Sequence, residues 1–478
     1  MTVKQGLSTL FIWAVAWVSA SAQDAEVSNA EAWLSAEQIQ TDVALARNAY
    51  SRVHPGYTRY GSEKTLDAAW VSITEKAAAQ GGMTTGDFYL SVQMTLAMIK
   101  CDHTKAELPK ALREERKTAK VYLPFHWKLI EGRGIIVKAV PETGLARGDE
   151  IIAIDGQSLS HLVDQVSPLI PVDGYTHWAK HGEIAQSREF MGGAIDHFGA
   201  LMWHPDPIVV LTTRTTEGEE RQHTLDRINY NQWSALSDEE TGAAEFKNAV
   251  TFELLDDGRG YLRVDTFVNY RAPVDPKKIF KPIFKSISDA GVESLILDLR
   301  KNGGGSTDAA HELFAHLISR KMKVSTDMVA ATLDLDGLRE HLWTWDKRAL
   351  NPKWFGFRKR SDGRYALRHF LSEDLKTIKP ARYAFDGELV ILTSANNSSG
   401  STTLIAVLDG IGRAVLIGEP TGGSAEGPTA GLLFTLTLPE SGVRTRLPFF
   451  QYINNVPEYT PGLGITPDIV APISVEAF

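Results

Sequence analysis

The sequence predicts an α/β protein: a layered C-terminal region, preceded by an N-terminal helical region, with a small β module embedded between them. Three observations carry that expectation. From about residue 245, apolar runs of strand length alternate with helical stretches, the pattern of an α/β layer. Residues 34–115 repeat apolar positions at helical spacing. Between 117 and 225, short β-branched runs are divided by glycine and charged turns, which reads as strands.

The helical region comes first. A helix is expected from about Ser35 to Tyr50, ending before His54-Pro55-Gly56. Thr84 with Asp87 three residues later is a capping-box signature. Phe88, Val92, Leu96 and Ile99 then mark one helix face, and Cys101-Asp102-His103-Thr104 ends it. In the β module, strands are expected at 121–123, 134–140, 150–154, 207–213 and 222–225. Residues 144–156, GLARGDEIIAIDG, resemble the core of a PDZ domain, and 165–200 read as an insertion in it. In the C-terminal region, strands at 260–264, 294–299, 389–393 and 414–417 alternate with helices at 277–290, 306–319 and 400–408. Residues 320–385 are polar, carry tryptophans and have no clear periodicity.

At 478 residues, the chain is long enough for two to four domains. Its 43% apolar and 23% charged residues are ordinary globular composition. With a net charge of −9 and no basic stripe, nothing points to nucleic acid as a partner. Lys4, the apolar run 10–18 and Ala20-Ser21-Ala22 read as a secretory signal, residues 1–22. The expected mature protein is therefore exported, periplasmic or secreted, with no integral membrane segment. Its one cysteine, Cys101, excludes an internal disulfide and reads as a small buried hydrophobe.

Two segments could carry chemistry. Asn396-Asn397-Ser398-Ser399-Gly400-Ser401 lies between a buried strand and a helix. A serine there sits where unpaired backbone N–H groups and the helix dipole face any anion. Acyl transfer needs that pairing of nucleophile and oxyanion donors. Serines also cap helices, and this segment alone leaves both readings open. Asn302-Gly303-Gly304-Gly305 follows another buried strand. Its glycines let backbone N–H groups approach a ligand; the phosphate-loop pattern, with its lysine, is absent.

Together, these segments resemble the tail-specific (C-terminal-processing) protease superfamily, peptidase family S41. LILDLRKNGGG (295–305), VILTSANNSSGSTT (390–403), GRAVLIGEPTGG (412–423) and GLGITPDIVAP (462–472) are similar to its motifs, in order. The resemblance implies a crotonase/ClpP-like β-α catalytic core over 245–478, a PDZ-like domain over 117–230 and a helical region over 23–116. It implies a serine peptidase acting on peptides or proteins through an acyl-enzyme, with no metal or organic cofactor. Ser399 takes the nucleophile position, Gly304 and Gly400 the oxyanion hole, and Ser398 and Ser401 read as capping or solvent-facing. Most relatives place a base lysine directly after GEPTxG; here that residue is Ser424, and no lysine follows Lys379. The context of His103 resembles the tricorn-like branch, whose histidine at this turn is the general base. That branch also places a carboxylate near the closing segment, so the resemblance implies Glu458 as the group orienting His103; Asp102 is adjacent, but adjacent side chains often diverge. The missing lysine leaves open a non-catalytic member binding peptides or hydrophobic ligands; the crotonase-like core also suggests an acyl-CoA hydratase or isomerase, against which export and the PDZ-like module argue.

Overall fold

The computed structural model describes residues 32–187, 189–237 and 245–477. The expected signal segment lies outside them. Three helices open the described chain: α1 (Ala36–Val53), α2 (Glu63–Gln80) and α3 (Thr85–Ala97). Ser35 and Gln38 form a reciprocal capping box at the start of α1. The Thr84 hydroxyl accepts from Asp87 N at 3.1 Å, capping α3 as its sequence implies. Helix α3 stops at Ala97, sooner than the apolar spacing suggests. The chain then bends through Lys100, at φ 60°, so Cys101–Thr104 forms a separate turn beyond the helix.

A six-stranded antiparallel sheet follows. Strands β1 (Phe125–Ile130), β2 (Arg133–Ala139), β3 (Glu150–Ile154), β4 (Ile208–Arg214) and β5 (Glu220–Asp226) lie in that order, and the short strand Gln157–Ser158 pairs with β3. The strand expected at 121–123 is reduced to one bridge, Tyr122 to Ile228. The expected insertion reaches out of this sheet. Gly174 N donates to Lys100 O at 2.9 Å, and Thr176 Oγ1 donates to Gly422 O at 2.6 Å. The insertion thus stitches the N-terminal region to the catalytic region.

Apart from a two-stranded pair, Trp33–Ser35 with Gly82–Thr84, the strands that follow are β6 (Val250–Leu254), β7 (Gly260–Val264), β8 (Ser294–Asp298), β9 (Ser325–Ala330), β10 (Leu342–Trp343), β11 (Phe357–Lys359), β12 (Tyr365–Leu367), β13 (Glu388–Thr393), β14 (Val415–Gly418), β15 (Thr429–Thr437), β16 (Arg444–Asn454) and β17 (Ile469–Val470). They build two sheets. One has the order β6-β7-β8-β13-β14-β17, parallel throughout except for β6. Helices α4 (Pro276–Asp289), α5 (Thr307–Leu317) and α6 (Ser399–Gly410) share its core with Leu295, Leu297, Ile391 and Leu416, each at most 1% exposed. The other has the order β10-β15-β16-β9-β12-β11, joined by the two-residue strand Ala106–Glu107. Much of the stretch 320–385, unreadable by periodicity, belongs to this second sheet. Its strands there are only two to six residues long, too short to show a period. Among the described residues, no helix is long and apolar enough to cross a membrane.

The N-terminal helices pack on the second sheet in one continuous core. Asp42 of α1 is fully buried and accepts from Glu440 N at 3.0 Å and Ser441 N at 2.9 Å, in the turn joining β15 to β16. Removing it strands the buried Ser441 donor and loosens the Glu440 one. Asp42→Ala should lower unfolding stability by about 2–3 kcal/mol, read as a drop in the urea midpoint at constant slope.

Candidate active site

Strands β8 and β13 are parallel neighbours, so the loops leaving their carboxyl ends lie side by side. This is the edge where open α/β sheets place their crevices. Two buried asparagines lock the loops together. Asn397 Nδ2 donates to Leu299 O at 2.7 Å and Asn302 O at 3.1 Å, while its Oδ1 accepts from Ser394 N at 2.8 Å. Asn302 Nδ2 donates to Val264 O at 3.0 Å. Both side chains are fully buried, and burial makes such bonds costly to lose.

The lock fixes Ser399 at the first position of α6 with φ at +51°, a left-handed conformation uncommon for serine. Strain of that kind clusters at functional sites. Gly304 packs directly against it. A Cβ on Gly304 would lie 2.9 Å from both Gly400 N and Ser399 Cβ, and φ there is +97°. Only glycine fits. Gly305, at φ +141°, would drive a Cβ to 2.2 Å from the Phe267 backbone.

The expected oxyanion donors divide. Gly304 N donates to Asn302 Oδ1 at 2.8 Å, inside its own loop, so that N–H is committed. Among the hydrogen bonds of the described residues, none uses the N–H of Gly305 or of Gly400. A Cβ built on Gly400 would lie 3.8 Å from Gly305 N. Gly400 and Gly305 are therefore the paired free donors.

The turn after α3 reaches this loop. Ser398 precedes α6 but makes no side-chain cap; its hydroxyl donates to Asp102 Oδ2. Asp102 Oδ1 in turn lies 2.5 Å from His103 Nδ1. This is an ion-pair contact rather than an aligned hydrogen bond. His103 keeps 21% of its side-chain surface exposed, and it lines the same cavity as Ser399 and Gly400, about 1980 Å³ in volume. Behind the turn, His54 Nε2 is 2.8 Å from Thr104 Oγ1 and His54 Nδ1 accepts from Gly56 N at 3.1 Å. Burial pushes the His54 pKa down to about 3, so this imidazole is a neutral structural brace.

The other expected residues are not all brought to the cavity. Glu458 is exposed on a loop after β16 and does not line the cavity; the carboxylate at His103 is its neighbour Asp102. The close turn at 101–104, with Thr104 N bonded to Cys101 O at 3.0 Å, turns two adjacent side chains to one side. Ser398 is neither a cap nor merely solvent-facing. Ser401 is fully buried and accepts from Asn397 Nδ2 at 3.2 Å, out of reach of substrate. Glu419 and Asp298 act on the scaffold, holding Ala395 N at 3.2 Å and Tyr261 Oη at 2.6 Å. Cys101 is buried, with Sγ 3.5 Å from Thr429 O. Cys101, Asp102 and His103 bring ligand atoms within 4.8 Å of one another and are the residues that could hold a metal.

One partner had no sequence signal. Ser424, at the family's lysine position, is buried and donates through Oγ and N to Asp173 Oδ2 at 2.6 and 2.9 Å. Asp173 comes from the insertion in the small sheet domain. Burial, reinforced by the charge of Asp102, pushes its pKa up to about 6.

Residues 258–471 match the model of peptidase family S41. Mature CPAF is a solved structure of similar fold, with TM-score 0.61 at 15% identity, covering 92% of this chain and 94% of that one. CPAF complexed with lactacystin gives 0.60 at 16%, covering 92% and 95%. The photosystem II D1 C-terminal processing protease is 16% identical over 92% and 94% of the two chains, with TM-score 0.44. The class is that of a peptidase, a hydrolase. Within it, residues 258–471 form a peptidase family S41 domain.

The electrostatics of the turn are testable. Burial lowers the pKa of His103, but the Asp102 charge and contact outweigh it and hold the imidazole well above its ordinary value. Burial likewise opposes the Asp102 charge, and His103 with Ser398 outweighs it, holding that carboxyl below the usual range. An NMR titration of His103 should give a pKa above ~6.5. In Asp102→Asn the raising charge is gone and burial remains, so the value should fall.

Proposed function

We propose that the chain is a serine-type peptidase with Ser399 as nucleophile, His103 as general base and Asp102 as the group orienting it. The observation that carries this reading is the junction of Ser398, Asp102 and His103 beside a strained Ser399 and two free N–H groups.

With Nδ1 turned to Asp102, Nε2 of His103 takes the Ser399 hydroxyl proton as Oγ attacks the substrate carbonyl carbon. The N–H groups of Gly400 and Gly305 receive the oxyanion, at the start of a helix whose dipole favours negative charge. His103 then gives its proton to the leaving amine. Water, deprotonated by the same imidazole, hydrolyses the acyl-enzyme. Ser398 holds Asp102 and does not react. Substrates are peptides or proteins met after export, and the small antiparallel sheet with its helix Leu159–Val166 serves as a PDZ-like module.

A fluorophosphonate probe tests the assignment. It should label Ser399 in the mature protein and fail in His103→Ala. Labelling of His103→Ala at the native rate, or no labelling of the native protein, would return the chain to the ligand-binding alternative. The pH dependence follows from the raised His103 pKa. The base works only when deprotonated, so kcat/KM should rise with pH through a midpoint above ~6.5. Asp102→Asn should move that limb to lower pH while reducing the plateau by about 10²-fold or more.

A further inference from the structure

The cavity holding Ser399 has a second feature, a strand edge with nothing paired to it. Strand β15 pairs along its length with β16. On its other side β10 covers only Thr435 and Leu436. Residues 430–434 have no strand on that side, and no hydrogen bond outside the sheet ladders engages their backbone among the described residues. Residues 430–433 line the cavity. An exposed edge normally is shortened, charged or covered; this one is apolar and open.

The two ends of that edge are defined. Thr429 O lies 3.5 Å from Cys101 Sγ, two residues before His103. Thr435 lies opposite Trp343. The free edge therefore starts beside the turn that carries His103 and ends at the tryptophan, roughly 17 Å for five residues at about 3.4 Å each. Trp343 and Trp345 flank buried Thr344, so they share the outer face, and they are 55% and 70% exposed. Both line the cavity, as does half-exposed Leu371. Large apolar side chains gathered in the open mark a binding surface.

Resting on the peptidase reading for its chemistry, we infer that the substrate is an extended polypeptide that adds as a strand to residues 430–434 of β15. It lays a large apolar side chain against Trp343 and Trp345. A strand edge offers N–H and C=O groups at a spacing that a polypeptide backbone complements and a lipid or small ligand does not. At about 1980 Å³, the cavity is also roughly twice the upper size of small-molecule sites. The bulge between Ala430 and Leu433, with Gly431 at φ +81°, twists the edge where it nears the catalytic turn. The scissile bond then falls about five residues from the apolar anchor.

The test uses the full mature chain as Ser399→Ala, which binds without turnover. A fluorescein-labelled peptide of about ten residues with one phenylalanine is titrated by anisotropy, beside the same peptide N-methylated at alternate backbone amides. Both N-methylation and the added pair Trp343→Ala/Trp345→Ala should weaken binding by at least about tenfold. Fluorophosphonate labelling of the tryptophan variant with native Ser399 checks its fold. Equal affinity for the methylated peptide, or for the tryptophan variant, overturns the inference. So does sedimentation showing that the tryptophans hold a second copy of the chain while peptide binding is unaffected. A native protein that binds in this way but hydrolyses nothing refutes the acyl-enzyme chemistry and leaves the docking mode standing. Hydrolysis without edge dependence refutes the docking mode alone.

Discussion

One carboxylate joins the two halves of this molecule. Asp102 comes from the turn after the N-terminal helices, and it is shared between His103 and the Ser398 hydroxyl at the start of α6. Everything around it serves that meeting. Helix α1 is tied to the β15–β16 turn by Asp42, and the insertion reaches from the small sheet to Lys100 and Gly422. Neither region has the site alone. The carboxylate is part-buried, and the imidazole contact with the Ser398 hydroxyl offsets the hydration it has lost.

The loss of the family's lysine has a structural counterpart. At that position Ser424 is small and buried, bonded to Asp173. Tyr60 Oη lies 3.4 Å from Ser424 Oγ and donates to Glu426, which pairs with Arg59 at 2.7 Å. Burial first, and then the charge of Asp102, pushes Asp173 up towards neutrality, while Arg59 and the Ser424 bonds pull the other way. The amine nearest the histidine by sequence, Lys105, is held by Glu189 at 3.3 Å. The basic group that reaches the cavity beside Ser399 in the proposed mechanism is thus an imidazole from the N-terminal region.

Much of the catalytic layer could be read from the chain. Strands buried against helices are apolar runs of fixed length, and 294–299, 389–393 and 414–417 stood out for that reason. The glycines of 303–305 were legible because two of them have backbone angles and contacts that exclude a side chain. Which glycine offers its N–H was not legible, since that depends on Asn302 folding back within its own loop. That Asp102 turns to His103 was not legible for a related reason: side-chain direction in a four-residue turn is set by local hydrogen bonds, which spacing does not encode. Asp173 and the edge of β15 are long-range features. The first reaches Ser424 across 251 residues of sequence, and the second exists only because β10 is two residues long.

A crystal structure with a peptide aldehyde or boronate bound tests the central claim most directly. The account predicts a bond from Ser399 Oγ to the inhibitor. The resulting oxygen should lie about 2.7–3.1 Å from the N atoms of Gly400 and Gly305, with His103 Nε2 within hydrogen-bond reach of Oγ. An adduct on another residue, or an imidazole left several ångströms away in the bound state, would contradict it.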